Sequence, residues 1–249
     1  MPKDPNRIRI AAIADIHYGS TAKHPFPDLG AITADADVLL LCGDLTDHGT
    51  AEEAQGFVRE LGAVRIPMVA VLGNHDFESD RQDEVRQIIS DAGVTVLDGD
   101  ACEIAGVGFA GAKGFAGGFG RQTLEPWGEP AVKRFVQAAV EEQLKLESAL
   151  ARLRTKHLIA LLHYAPIQAT VEGEPPPLFP FLGCSRLEEP LNRYAVTAAV
   201  HGHAHRGSPE GQTQTGIPVY NVALPLLQRL RPEGPPVRII EIAGTAEEA

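Results

Sequence analysis

Four short segments of this 249-residue chain concentrate side chains that bind metal ions: DIHYG at 15–19, GDLTDHG at 43–49, GNHD at 73–76 and HGHAH at 201–205. An isolated HYAP at 163–166 adds one more histidine. Together they offer Asp15, His17, Asp44, Asn74, His75, His163, His203 and His205, a stock of oxygen and imidazole donors large enough for two ions. Mixed sets of this kind suit first-row divalent ions such as Mn, Fe or Zn, and donor type alone does not choose among them. Two such ions side by side clamp the attacking and leaving oxygens of a phosphoryl displacement, so the chemistry expected is hydrolysis of phosphate esters.

The segments fall where strands run out. IRIAAIA (8–14), VLLLC (38–42), PMVAVLG (67–73), HLIALLH (157–163) and AVTAAVHG (195–202) read as buried strands, each with donors at or just beyond its carboxyl end. IPVYNVAL (217–224) and VRIIEIA (237–243) add further strands. Open α/β sheets bind ligands outside the carboxyl ends of their strands, so donors from five strands can converge on one crevice. Packing does not explain the pattern, because polar groups at the ends of buried strands are costly unless paired or metal-bound. Asp-x-His puts a carboxylate and an imidazole on one side of an extended segment, and His203 and His205 repeat the step. Gly43 before Asp44 and Gly73 before Asn74 let the backbone turn sharply and approach an ion.

Amphipathic stretches separate the strands, the pattern of an α/β fold. A helix is expected over 51–63, with Thr50 and Glu53 forming a capping box. A second is expected over 83–93, closed at Gly93, and the longest over 131–155. VTVLDGD (94–100) and CEIAGVGFAG (102–111) read as a hairpin-like pair of strands. With no repeat and no linker, residues 1–249 are read as one domain. The net charge of −11 argues against a general nucleic-acid surface, which needs a basic patch, and disfavours nuclease action. It leaves a phosphate substrate open, since bound ions dominate the local charge. The three cysteines lack paired spacing, and Cys42 sits in an apolar run as a small core residue. No apolar stretch resembles a signal peptide or membrane span, so a cytoplasmic protein with no membrane partner is expected.

The ordered set D-x-H, G-D-x-x-x, G-N-H-[DE], isolated His and G-H-x-H resembles the motif series of the calcineurin-like metallophosphoesterase superfamily, over about residues 8–223. That resemblance implies two packed mixed β-sheets flanked by helices in four layers, with the site at strand ends. It implies that Asp15, His17 and His205 hold one ion, that Asn74, His163 and His203 hold the other, and that Asp44 bridges them. His75 would then be the non-ligand histidine that stabilises the phosphate or protonates the leaving oxygen, assisting attack by metal-activated water. Asp76 is the expected carboxylate orienting the His75 ring. Asp47 is a weaker candidate, and Asp37 marks a strand start.

His24, His48 and His157 lie outside the motifs and are read as ordinary surface or core residues, with a supporting role near the site as the alternative for His48; His201 is read as an inward support of its cluster, with metal ligation as the alternative. Segments 111–130 and 168–190 are rich in Gly, Pro and aromatics and resist assignment to elements. KGFAGGFG (113–120) matches neither common phosphate-loop pattern, so it reads as a flexible surface loop. Its sharper alternative is a flap carrying Phe115, Phe119, Arg121 or Trp127 to a substrate. PPPLFPF (175–181) reads as a pocket wall or partner contact. Small-molecule phosphodiesters such as cyclic nucleotides are slightly favoured, because the little sequence inserted beyond the motifs resembles phosphodiesterase members of that superfamily. A phosphomonoesterase, a protein phosphatase and a non-catalytic scaffold are the alternatives.

Overall fold

The computed structural model describes residues 7–19 and 28–243; His24 lies outside them. In chain order the elements are β1 (Arg7–Ile13), α1 (Leu29–Ile32), β2 (Val38–Cys42), α2 (Ala51–Leu61), β3 (Met68–Val71), α3 (Gln82–Asp91) and β4 (Val94–Val96). Then come β5 (Asp100–Ile104), β6 (Val107–Gly111), α4 (Pro130–Arg152), β7 (His157–Leu161), α5 (Phe179–Leu182) and α6 (Glu188–Arg193). The chain finishes with β8 (Ala198–His201), β9 (Glu210–Gln212), β10 (Pro218–Asn221), α7 (Leu224–Leu230) and β11 (Arg238–Ala243).

The strands form two mixed sheets. One has the order β11-β1-β2-β3-β4, parallel except for β11 at its edge. The other has the order β5-β6-β7-β8-β10-β9, with antiparallel strands only at its two edges. Parallel strands covered on both faces carry continuous apolar runs, and VLLLC of β2 is buried at every position. Alternate β-strand residues serve different layers. Ile10, Val38, Leu40 and Val69 face Val107, Phe109, Ile159 and Leu161 of the second sheet in a central core. Ala11, Leu39, Leu41 and Ala70 pack outward under Phe57, Leu61, Val85 and Ile89 of α2 and α3. Leu146, Leu150 and Leu191, from α4 and α6, cover the outer face of the second sheet. The result is the expected four-layer arrangement.

Local signals set several boundaries. Thr50 and Glu53 close the capping box at the start of α2. α4 stops three residues short of the expected end, because Leu153 turns extended (φ −79°, ψ 147°) and the chain heads into β7. The expected hairpin is corrected. Val94–Val96 pairs in parallel with β3, in the first sheet. The hairpin is instead β5 with β6, formed mostly within residues 102–111, where a single strand is expected. Its turn residues Ala105 (φ +52°) and Gly106 (φ +77°) both have positive φ, as a two-residue type I′ turn requires. Strand β9 and the short helices α5 and α6 carried no clear pattern in the sequence.

Candidate metal centre

The motif loops leave the strand ends in strained backbone. Asp15 (φ +58°), His17 (φ +47°), Asp44 (φ +49°) and His203 (φ +68°) all adopt the left-handed region. That conformation costs a non-glycine residue about 1–2 kcal/mol and persists where surrounding structure holds it. Here the loops after β1 and β2 hold each other. Asp15 N donates to Gly43 O, His17 N to Asp44 O and Tyr18 N to Leu45 O, each at 3.0 Å. The Asp15 carboxylate in turn accepts from His203 N with both oxygens, at 3.0 and 2.9 Å. Gly43 is left-handed at φ +86°, and a Cβ there would overlap the His163 ring. Gly73 is required by close approach, since a Cβ would overlap the Asp44 amide and carboxylate.

The side chains converge as three overlapping groups: Asp15, His17 and His205; His17, Asp44 and His75; Asp44, His163 and His203. Within each, the candidate donor atoms lie within 4.8 Å of one another. Asp44 is 1% exposed and stands between two histidines, Oδ1 at 3.4 Å from His163 Nε2 and Oδ2 at 3.7 Å from His17 Nε2. Asn74 joins through its Oδ1, 2.9 Å from His163 Nε2. All eight sequence-nominated residues are therefore at one place.

Hydrogen bonds to the far side of each ring fix which nitrogen is available. His163 Nδ1 donates to the Cys42 carbonyl at 3.1 Å, so Nε2, which faces Asn74 Oδ1, is the nitrogen an ion would meet on displacing its proton. His203 Nε2 faces the Phe181 carbonyl at 3.2 Å, which leaves Nδ1 as its donor atom. His75 Nδ1 faces the Asp47 carbonyl at 2.7 Å and leaves Nε2 free. His17 is different: both of its ring nitrogens are buried without a hydrogen-bond partner. An imidazole left with two unmet nitrogens beside buried carboxylates is what a cation would satisfy. The residues therefore fit a pair of divalent ions.

Electrostatics point the same way. Burial opposes ionisation of Asp44, yet His163 and His17 hold its carboxyl below the ordinary carboxylate range. Burial likewise opposes charge on His163, but the Asp44 carboxylate pushes it up to about 9. His203 is pushed down to about 3 by burial, reinforced by His163. The pocket carries two buried carboxylates and holds His203 neutral, the form that coordinates a metal.

One expectation about supporting residues changes and another holds. Asp76 does not touch the His75 ring, which the Asp47 carbonyl orients instead. The Asp76 carboxylate turns inward to accept from Gly73 N (2.8 Å), Thr46 N (2.8 Å), Leu45 N (3.2 Å) and the Thr46 hydroxyl (2.7 Å). It ties the GNHD turn to the GDLT loop. His201 is fully buried, its Nδ1–H donating to Gly202 O and its Nε2 accepting from the Thr170 hydroxyl, both at 2.8 Å. With both nitrogens used and burial pushing it down to about 4, it supports the HGHAH turn. His48 lies at the surface and pairs with Glu53, while His157 begins β7.

The unassigned loops are not a loose surface. Gly117 N bonds Pro180 O (2.8 Å), Gly118 N bonds Gly183 O (2.9 Å), and Ala165 N bonds Leu182 O (3.0 Å). Segments 111–130 and 168–190 are thus laced into one wall beside His163 and His203. Phe119 is buried in a cluster with Ala165, Leu182 and Ala204, whereas Trp127 is 69% exposed. Sequence reasoning passed over Lys113 in this wall and Tyr164 beside it; the Tyr164 ring lies tilted at 51° to that of His203, their centres 4.5 Å apart. The position of Lys113 just beyond β6, at a strand end like the motif donors, was the available signal.

The calcineurin-like phosphoesterase family model matches residues 8–207, and the chain belongs to that family. It is 24% identical over 185 residues to a protein of Arcobacter nitrofigilis named "Probable glycerophosphodiester phosphodiesterase GpdQ". The match covers 69% of this chain but 58% of that relative, so the chain spans under two thirds of its length. Among solved structures, the phosphopantetheinyl hydrolase PptH from Mycobacterium tuberculosis superposes with a TM-score of 0.68 at 14% identity, covering 94% of this chain and 96% of that one. The protein TT1561 of Thermus thermophilus superposes at 0.55 with 16% identity, covering 95% and 98%. Both likenesses show the fold.

Proposed function

We propose that residues 1–249 form one phosphoesterase domain, with two divalent ions held as the motif resemblance implies: Asp15, His17 and His205 for one, Asn74, His163 and His203 for the other, and Asp44 between them. The observation that carries this reading is His17, whose two buried nitrogens lack partners while it faces Asp44. The donor set matches Mn, Fe or Zn. When bound, the ions supply charge neutralisation on phosphate oxygens and a water of lowered pKa.

The chain's own residues supply the rest. His75 keeps its Nδ1–H on the Asp47 carbonyl, so Nε2 is the nitrogen that, in the imidazolium form, passes its proton to the leaving oxygen and leaves the ring neutral. Asp76 keeps the turn bearing His75 against Asp44, whose Oδ1 accepts from His75 N at 2.9 Å. Small phosphodiesters, such as cyclic nucleotides, are the first substrate class. Phosphomonoesters are the second, favoured by a half-buried lysine in the loop wall. A cytoplasmic location belongs to the same reading, supported by the free state of Cys42, Cys102 and Cys184. No helix among the described residues is long and apolar enough to cross a membrane.

The test is hydrolysis of bis(p-nitrophenyl) phosphate, p-nitrophenyl phosphate and several cyclic nucleotides by Mn²⁺-loaded protein. His75→Ala should keep its metal and lose about 10²–10⁴-fold in turnover. Unchanged turnover would remove the proton-transfer role, and inactive wild type on every ester would favour a scaffold.

A further inference from the structure

Lys113 is the least explained cation near the centre. It follows β6 and lies between the motif loops. Its carbonyl accepts from both His163 N (3.0 Å) and Tyr164 N (3.1 Å). Its Nζ sits 5.2 Å from the ring centre of Phe77, 5.1 Å from Phe115 and 5.2 Å from Tyr164. Phe77 ends the short turn that begins at His75, so the ammonium is held between the GNHD and HYAP loops.

The three rings stabilise a cation but do not accept its N–H bonds as a carbonyl or carboxylate would. Nζ donates to Gly114 O at 3.0 Å, and among the described residues it forms no ion pair. The nearby carboxylate is already used. Glu142 accepts from Gly114 N with one oxygen and from Lys145 Nζ with the other, both at 2.8 Å. Lys145 shows the ordinary solution in this neighbourhood, pairing with both Glu142 and Asp98. Lys113 is left with donors to spare in a largely apolar cage, where burial lowers its pKa against the pull of Glu142. A half-buried ammonium is costly unless an anion completes its shell. Its mount is also rigid: Gly114 is left-handed (φ +79°) and pinned by Glu142.

We infer that Lys113 binds substrate, donating from Nζ to a non-bridging phosphate oxygen, and that it helps a dianionic phosphomonoester more than a monoanionic diester. This rests on the phosphoesterase reading of the adjoining centre. The experiment compares wild type, Lys113→Met and Lys113→Arg, all loaded with Mn²⁺. KM and kcat are measured for p-nitrophenyl phosphate and bis(p-nitrophenyl) phosphate, together with inorganic phosphate affinity by calorimetry and metal content. In Lys113→Met, KM for the monoester and Kd for phosphate should rise about tenfold, the size of one charge-assisted hydrogen bond. The diester KM should rise less, kcat should change little, and metal content should hold. Lys113→Arg should stay within a few-fold of wild type.

Unchanged KM and Kd with only a lowered Tm would overturn the inference and leave Lys113 a structural strut. Should Lys113→Met not fold, wild type carrying ¹³C,¹⁵N-lysine decides. The Lys113 Nζ resonance should move on addition of inorganic phosphate, and a stationary resonance overturns the contact. A wild type that cleaves neither ester sinks the phosphoesterase reading, while the phosphate titrations still judge Lys113.

Discussion

Two kinds of loop surround this centre, and they are held in place by different physics. The motif loops are short, leave strands buried on both faces, and place Asp15, His17, Asp44 and His203 in left-handed backbone. Their restraints are backbone bonds between neighbouring loops and the Asp76 carboxylate at their base. The wall made by 111–130 and 168–190 is long and mostly without regular structure. It is fixed by cross-loop backbone bonds and by Glu142 and Lys145 reaching up from α4. The first region stores strain at the donors, whereas the second presents aromatic rings and Lys113. On the function proposed above, reaction chemistry belongs to the first region and choice of substrate to the second.

Breaking the first region should have the largest effect. Asp44→Asn removes the carboxylate charge between His17 and His163. Turnover should fall by roughly 10³-fold, the several kcal/mol a metal contributes to transition-state charge. Elemental analysis should show less than the wild-type metal per chain. Two full equivalents retained in the variant would rule out the bridging role.

Next in size is the scaffold beneath. Asp76→Ala leaves four buried donors, on Gly73, Leu45 and Thr46, without their acceptor. Unsatisfied buried donors cost about 1–3 kcal/mol each before relaxation, so a net loss of about 3–5 kcal/mol is expected. Chemical denaturation would register it as a lower midpoint at unchanged slope. A loss under about 1 kcal/mol would mean that the motif loops hold their strain without Asp76.

The two regions also differ in how far the sequence reveals them. Donor residues at strand ends declare themselves because ligand chemistry restricts residue type, and buried parallel strands restrict their own composition. Asp15, His17, Asp44, Asn74, His75, His163, His203 and His205 could all be nominated for that reason. The direction in which Asp76 points could not, because an acid following His75 can turn toward the ring or the core. The wall was illegible for a related reason. Its order comes from backbone amides, such as Gly117 to Pro180 and Gly118 to Gly183, and any residue carries those groups. The β5–β6 hairpin failed similarly: Ala105 takes a positive φ more often found at Asn or Gly. Lys113 gains meaning only from Phe77, Phe115 and Tyr164, which are scattered along the chain.

The smallest effect is expected at the root of the wall, where Asp98 receives Lys145 (2.8 Å) and Arg86 (2.9 Å). Partial burial works against its charge, but hydrogen bonds from Lys145 and Arg86 hold its pKa below the ordinary value. A carboxyl with a depressed native pKa binds fewer protons folded than unfolded. Its contribution is therefore complete above the unfolded value of about 3.9 and disappears as pH falls through the native one. With its side chains 25–39% exposed, the cluster is screened, and less than about 1 kcal/mol is expected from it. Asp98→Asn should lower Tm by a few degrees at neutral pH, with the gap narrowing at a second, acidic pH below the unfolded value of about 3.9 and shrinking in high salt. Metal content and turnover should be those of wild type, because the lesion lies in the wall's anchor and touches no donor. A gap of equal size at both pH values would show that the side chain matters through packing. A loss of bound metal would break the division between the two regions, since it would make the charge cluster on α4 part of what holds the donors.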